Sequence, residues 1–199
     1  MRAAIVTFDG FDEIDTFVAL GVLNHLRAQG WSAEIASPSA QVTSMNGVTV
    51  HAQRPLEFAN EADVVVFGSG IYTRAIAEDG ALLDRLTLDP LRQTIGAQGS
   101  GSLLLARLGL LGATPVCTDQ STRPWVMAAG VRVLDEPFHA RGPIATAGGC
   151  MASVYLAAWV LRRRADLETA RSVLHHVAPV GQKTAWVDRV LAVVAPFID

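Results

Sequence analysis

Thr94-Ile95-Gly96-Ala97-Gln98-Gly99-Ser100-Gly101-Ser102-Leu103-Leu104-Leu105 carries no charged residue and passes from an apolar run through a Gly-Ser-Gly triplet into a leucine block. A short apolar run bounded by glycine predicts a buried strand over Thr94 to Gln98. The leucines, continuing to Leu111, predict an apolar helix from Ser102. A strand, a glycine turn and a helix in that order form the repeating unit of a parallel sheet.

The same grammar extends in both directions. Upstream, Asp63-Val64-Val65-Val66-Phe67 is a β-branched run closed by Gly68-Ser69-Gly70, as expected for a central strand buried on both faces. Residues 2–8 predict a first strand, Ile14 to Ala28 a helix capped by Gly30, and Ser32 to Ser37 a second strand. Val42 to His51 predicts a hairpin turned at Asn46-Gly47. A helix is expected around Ala81 to Leu86. Downstream, strands are expected at Pro115 to Thr118, Val131 to Leu134 and Ile144 to Thr146, with a short helix from Trp125 to Ala129 between the first two. Gly148-Gly149 precedes a long helix, Met151 to Arg163, and a mainly helical tail from Leu167 to Ile198 is broken at Pro179-Val180-Gly181. The reading is therefore one α/β domain over 1–199: a three-layer sandwich with a mostly parallel, flavodoxin-like sheet and helices on both faces.

Half of the 199 residues are apolar and 18% are charged, with a formal net charge of −3. No basic run exceeds Arg162-Arg163-Arg164, so neither nucleic acid nor an anionic membrane is expected as a partner. No apolar stretch approaches the ~20 residues of a membrane span. Cys117 and Cys150 show neither metal-ligand spacing nor a disulfide framework, and the expected location is cytoplasmic. The histidines are not spaced as ligands, and no metal or cofactor is expected.

Three strands stop at glycine turns: Gly68-Ser69-Gly70, Gly99-Ser100-Gly101 and Gly148-Gly149. Ligands of open α/β sheets sit at the carboxyl ends of strands, where exposed amides hold an oxyanion. The turns nominate Gly68, Gly70, Ser100 and Gly149 as ligand or oxyanion contacts. The Gly-x-Ser-x-Gly nucleophile elbow is absent, because Gln98 stands two residues before Ser100, and neither dinucleotide nor phosphate-loop patterns occur.

Taken together, Phe11 to Leu23 with Ile14-Asp15, the Asn46-Gly47 hairpin, Asp63 to Gly70, Gly99 to Leu103 with Leu108 to Leu111, and Thr146 to Gly149 resemble the ThiJ/PfpI superfamily of the class I glutamine-amidotransferase-like fold. The nearest branch is that of the isocyanide hydratases. The likeness covers about residues 1–160. It implies a homodimer and a catalytic cysteine on the elbow, a position held here by Gly99. It also implies an acidic partner, matched by Asp15, and a histidine whose position holds Asp119.

Without the thiolate, the covalent route of that family is closed to this chain. Three readings follow. The chain binds a small molecule in a retained oxyanion pocket without covalent catalysis; or Asp15, with Asp119, activates water as in a hydratase or an amidase-like hydrolase; or the domain is a regulatory effector-binding module acting through a partner protein. Structural roles compete with these: Asp15 as a helix cap, Asp119 in a polar turn with Gln120, Ser121 and Thr122, and both cysteines as packed core residues.

Overall fold

The computed structural model describes residues 1–198. The first strand, β1 (Arg2–Val6), leads to α1 (Glu13–Asn24) and then to β2 (Ser32–Ser37). A hairpin of β3 (Gln41–Thr43) and β4 (Thr49–His51) follows, paired Gln41 to His51 and turned where Gly47 takes a φ of 86°. The chain continues through β5 (Arg54–Pro55), α2 (Phe58–Glu61), β6 (Val64–Phe67), α3 (Thr73–Glu78) and α4 (Gly80–Leu83). It then enters β7 (Thr94–Gln98), α5 (Gly101–Arg107) and α6 (Arg123–Ala128). The last sheet strands are β8 (Phe138–Arg141) and β9 (Ile144–Ala147), followed by α7 (Ser153–Arg164), α8 (Leu167–Val177) and α9 (Lys183–Val194).

The seven-stranded sheet runs in the order β5-β2-β1-β6-β7-β9-β8, and every pairing is parallel except β8 with β9. Because side chains alternate along a strand, the two faces feed separate cores. Ala3, Ile5, Val64, Val66, Ala145 and Ala147 join α1, α7, α8 and α9 on one face. Ala4, Val6, Val65, Phe67, Ile95 and Ala97 join α2 to α5 on the other. This is the mostly parallel, helix-covered sheet read from the alternating elements. From β1 the chain goes to β2 on one side and later to β6 on the other, which makes the gap between β1 and β6 a topological switch point.

Several local expectations are corrected. Val131 to Leu134 and Pro115 to Thr118 are not sheet strands; they meet in a single bridge, Val116 to Val133. The edge position is taken instead by β8, the antiparallel strand. The leucine helix stops at Arg107, with Gly109 at φ 70° just beyond it, and the first helix stops at Asn24, with a separate 3-10 turn, Arg27–Gln29, before Gly30. The short helices α2 and α3 and the strand β5 were not expected. Trp159 is fully buried in the core.

Candidate functional site

The carboxyl ends of β6, β7 and β9 and the start of α1 surround a cavity of about 340 Å³. Asp12, Asp15, Met45, Ser69, Gly70 and Ile71 line one side; Gly99, Ser100, Asp119 to Trp125 in part, Gly149 and Cys150 line the other. Of the residues expected at a site, Asp15, Asp119, Gly70, Gly99, Ser100 and Gly149 are brought to this cavity, and Gly68 is not. Gly68 N–H continues the sheet by donating to the Val6 carbonyl at 3.3 Å.

Gly99 ends β7 at a φ of 49°, a left-handed conformation, and its N–H donates to the Ala147 carbonyl at 2.8 Å. A Cβ on it would stand 3.5 Å from Asp15 Oδ2, 3.5 Å from Asp119 Oδ2 and 3.1 Å from Ser69 Cβ. The position thus points between two carboxylates and carries nothing there. Ser100 follows at φ −63°, outside the strained turn. Its Oγ lies 2.8 Å from Thr73 Oγ1 and accepts from Gly70 N–H at 3.0 Å. That bond corrects one expectation: the Gly70 amide is engaged by Ser100 and does not face the cavity as a free donor. Ser100 N–H has no partner among the described hydrogen bonds.

Helix α1 is capped by Asp12 and not by Asp15: Asp12 Oδ1 accepts from Ile14 N–H at 2.8 Å and Asp15 N–H at 3.2 Å. This frees the Asp15 carboxylate to turn inward, where it is 2% exposed. Asp15 Oδ2 accepts from Ser69 Oγ, and Ser153 Oγ lies 3.2 Å from Oδ1. Both partners are neutral. Burial pushes the carboxyl up to about 6, the Asp12 charge adds to the rise, and the serine bonds oppose it. Asp119 Oδ1 holds the polar turn, accepting from Thr122 N–H at 2.8 Å and Ser121 Oγ at 2.5 Å, while its Oδ2 faces Gly99.

Neither cysteine replaces a nucleophile on Gly99. Cys117 is fully buried, and burial, aided by the Glu136 charge, pushes its thiol up to about 12. Cys150 does line the cavity, but burial and the charges of Asp15 and Asp12 push it up to about 12 as well; it stays protonated and donates to Asp12 Oδ2 at 3.4 Å. Asp12, Asp15 and Cys150 place three possible metal-ligand atoms within 4.8 Å of one another. One Asp12 oxygen is already spent on the helix cap, and the helix N-terminus beneath it carries a partial positive charge.

A model of the DJ-1/PfpI family matches residues 1–163. The chain belongs to the DJ-1/PfpI family. Solved structures agree on the fold. DJ-1 of Schizosaccharomyces pombe superimposes with a TM-score of 0.76 at 16% identity over 90% of this chain and 100% of that one. A ThiJ/PfpI family protein from Pseudomonas syringae does so at 0.77 and 19%, over 98% and 87%. An AraC family transcriptional regulator from Pseudomonas putida matches at 0.71 and 19%, over 89% and 99%. No curated protein sequence matches. Among the described residues no helix is long and apolar enough to cross a membrane.

The sequence alone does not single out Asp12, Ser153, Met45 or Trp125 as site residues, and it marks Ser69 through the glycines on either side of it. Asp12 does carry a local signal, since an acidic residue three positions before Asp15 at the start of an apolar run is a capping pattern. Met45 and Trp125 reach the cavity from distant segments, and Ser153 meets Asp15 without lining the cavity.

Proposed function

We propose that this DJ-1/PfpI chain binds a small molecule reversibly in the cavity and has no covalent chemistry of its own. The observation that carries the reading is Gly99: it holds the strained, left-handed turn at the end of β7, and a side chain there would project between Asp15 and Asp119. By resemblance, ThiJ/PfpI proteins place their cysteine at such a turn, and glycine supplies no atom to form or leave a bond. The protonated state of Cys150 and the burial of Cys117 support the same reading. The test is a thermal-shift screen of small amides, isonitriles and amines, followed by intact-protein mass spectrometry. Reversible shifts with an unchanged mass are expected; a stoichiometric adduct, or turnover insensitive to Asp15 and Asp119 substitution, overturns the proposal.

One observation favours a second reading. Asp15, held near 6, and Asp119 lie within 3.5 Å of a common point, which suits a base and a hydrogen-bonding partner for water, as in a non-covalent hydratase of the isocyanide-hydratase kind. Here Asp15 takes a proton from water as the oxygen attacks the isonitrile carbon and returns that proton to the same carbon, giving an imidic acid that tautomerises to the formamide; on a carbonyl the proton returns to the oxygen and gives the hydrate. Turnover would then rise with pH through about 6 and vanish in Asp15→Asn. A regulatory role through a partner has no observation in this chain behind it, since the likeness to the AraC family structure concerns the fold.

A further inference from the structure

We infer that the cavity selects a small organic ammonium ion, with the cationic nitrogen in the notch over Gly99 between Asp15 and Asp119 and an apolar body against Met45, Ile71 and Trp125. This rests on the reversible-binding reading and adds the class of ligand to it.

The argument begins with charge. Among the described residues lining the cavity there are three carboxylates, Asp12, Asp15 and Asp119, and no lysine, arginine or histidine. None of the three takes part in a described ion pair. Arg74, stacked over Trp125 at 5.4 Å, does not line the cavity and is paired with Glu78 at 3.4 Å. A buried carboxylate normally has a charged partner, because neutral hydrogen bonds replace only part of its lost hydration. Asp15 is 2% exposed, has only neutral donors, the Ser69 and Ser153 hydroxyls and the Cys150 thiol, and turns an oxygen towards the point a Gly99 Cβ would occupy. A counter-charge delivered to that point meets Asp15 and Asp119 at once.

The opposite polarity fares worse. The N-termini of α1 and α5 favour anions, but each carries roughly half a charge at most, against three formal negative charges. Of the four turn residues nominated to hold an oxyanion, Gly70 has its N–H bound to Ser100 Oγ at 3.0 Å and Gly68 has its N–H bound to the Val6 carbonyl at 3.3 Å. An anion would keep the Ser100 and Gly149 amides and face three carboxylates.

The walls complete the specification. Met45 and Ile71 are large apolar side chains exposed at 44% and 55%, and with Trp125 they offer an apolar surface beside the acidic floor. At about 340 Å³ the cavity lies at the small end of ligand sites, which suits one aryl or short alkyl group and not a long polyamine.

Isothermal titration of the full chain at pH 7.5 and low salt, with benzylammonium, benzyl alcohol and benzoate as probes, tests the inference. Benzylammonium should bind at least tenfold more tightly than benzyl alcohol, with no heat from benzoate. Asp119→Asn, which keeps an oxygen acceptor for the Thr122 turn, should erase most of that preference while its melting temperature verifies folding. Equal or tighter binding of benzyl alcohol or benzoate overturns the ammonium class and leaves reversible binding standing. Benzylammonium affinity unchanged in both Asp119→Asn and Asp15→Asn places the ion elsewhere and also overturns it. If none of the probes binds and the wider screen is silent too, both proposals fall.

Discussion

At the residue scale, Gly99 and Asp15 each carry a measurable cost. A side chain on Gly99 must adopt a φ of 49° and approach Ser69 Cβ to 3.1 Å, so Gly99→Ala should lower the unfolding free energy by about 1–2 kcal/mol in urea titration. Asp15 acts through pH. Its folded value of about 6 lies above the ordinary 3.8, so the folded chain holds this proton more tightly than the unfolded one. The contribution is fully present below pH 3.8 and is lost as pH rises through about 6, where ionisation costs about 2–3 kcal/mol. Asp15→Asn removes that dependence. Urea titrations should find the variant more stable than the parent at pH 8 by about 1–2 kcal/mol, with the gap closing at pH 4. A variant less stable at pH 8 would show that the serine bonds outweigh the burial penalty.

At the scale of elements, the contact between β7 and α7 is unusually close. A Cβ on Gly96 would lie 2.6 Å from Leu156 Cδ1, so the glycine is what lets the helix rest on the central strand. Gly96→Ala should cost about 1–3 kcal/mol, and Leu156→Ala in the same chain should recover part of it; a double-mutant cycle reads the coupling. The sequence made the central elements legible because β6 and β7 are short apolar runs closed by glycine. It hid β8, whose Phe138-His139-Ala140-Arg141 alternates weakly beside Pro137, and it suggested a strand at Val131 to Leu134 that makes only one bridge. Periodicity speaks for a segment in isolation, whereas an edge position is decided by what reaches the sheet first. The site divides in the same way. Asp15, Asp119 and Gly99 were nominated through resemblance. Ser69 lies in the Gly68-Ser69-Gly70 turn already marked by its glycines, whereas Trp125 comes to the cavity only once α6 is placed and Ser153 meets Asp15 only once α7 is, and nothing local marks these two.

At the scale of the whole molecule, helices on both faces and two separate cores leave the sheet only its two margins. One margin is β5, two residues long, made of Arg54 and Pro55 and paired to β2. A proline offers no N–H to an incoming strand, and an exposed arginine beside it resists a dry, flat contact. The outer strand covers Ala36 and Ser37 of β2, and the side chains of Asn24 and Gln53 take the backbone groups of Ala33 and Ile35, so this margin offers little to recruit further chains. At concentrations where other parallel sheets would begin to polymerise edge to edge, this margin should remain inert, and any fibril growth would have to start from the antiparallel border formed by β8.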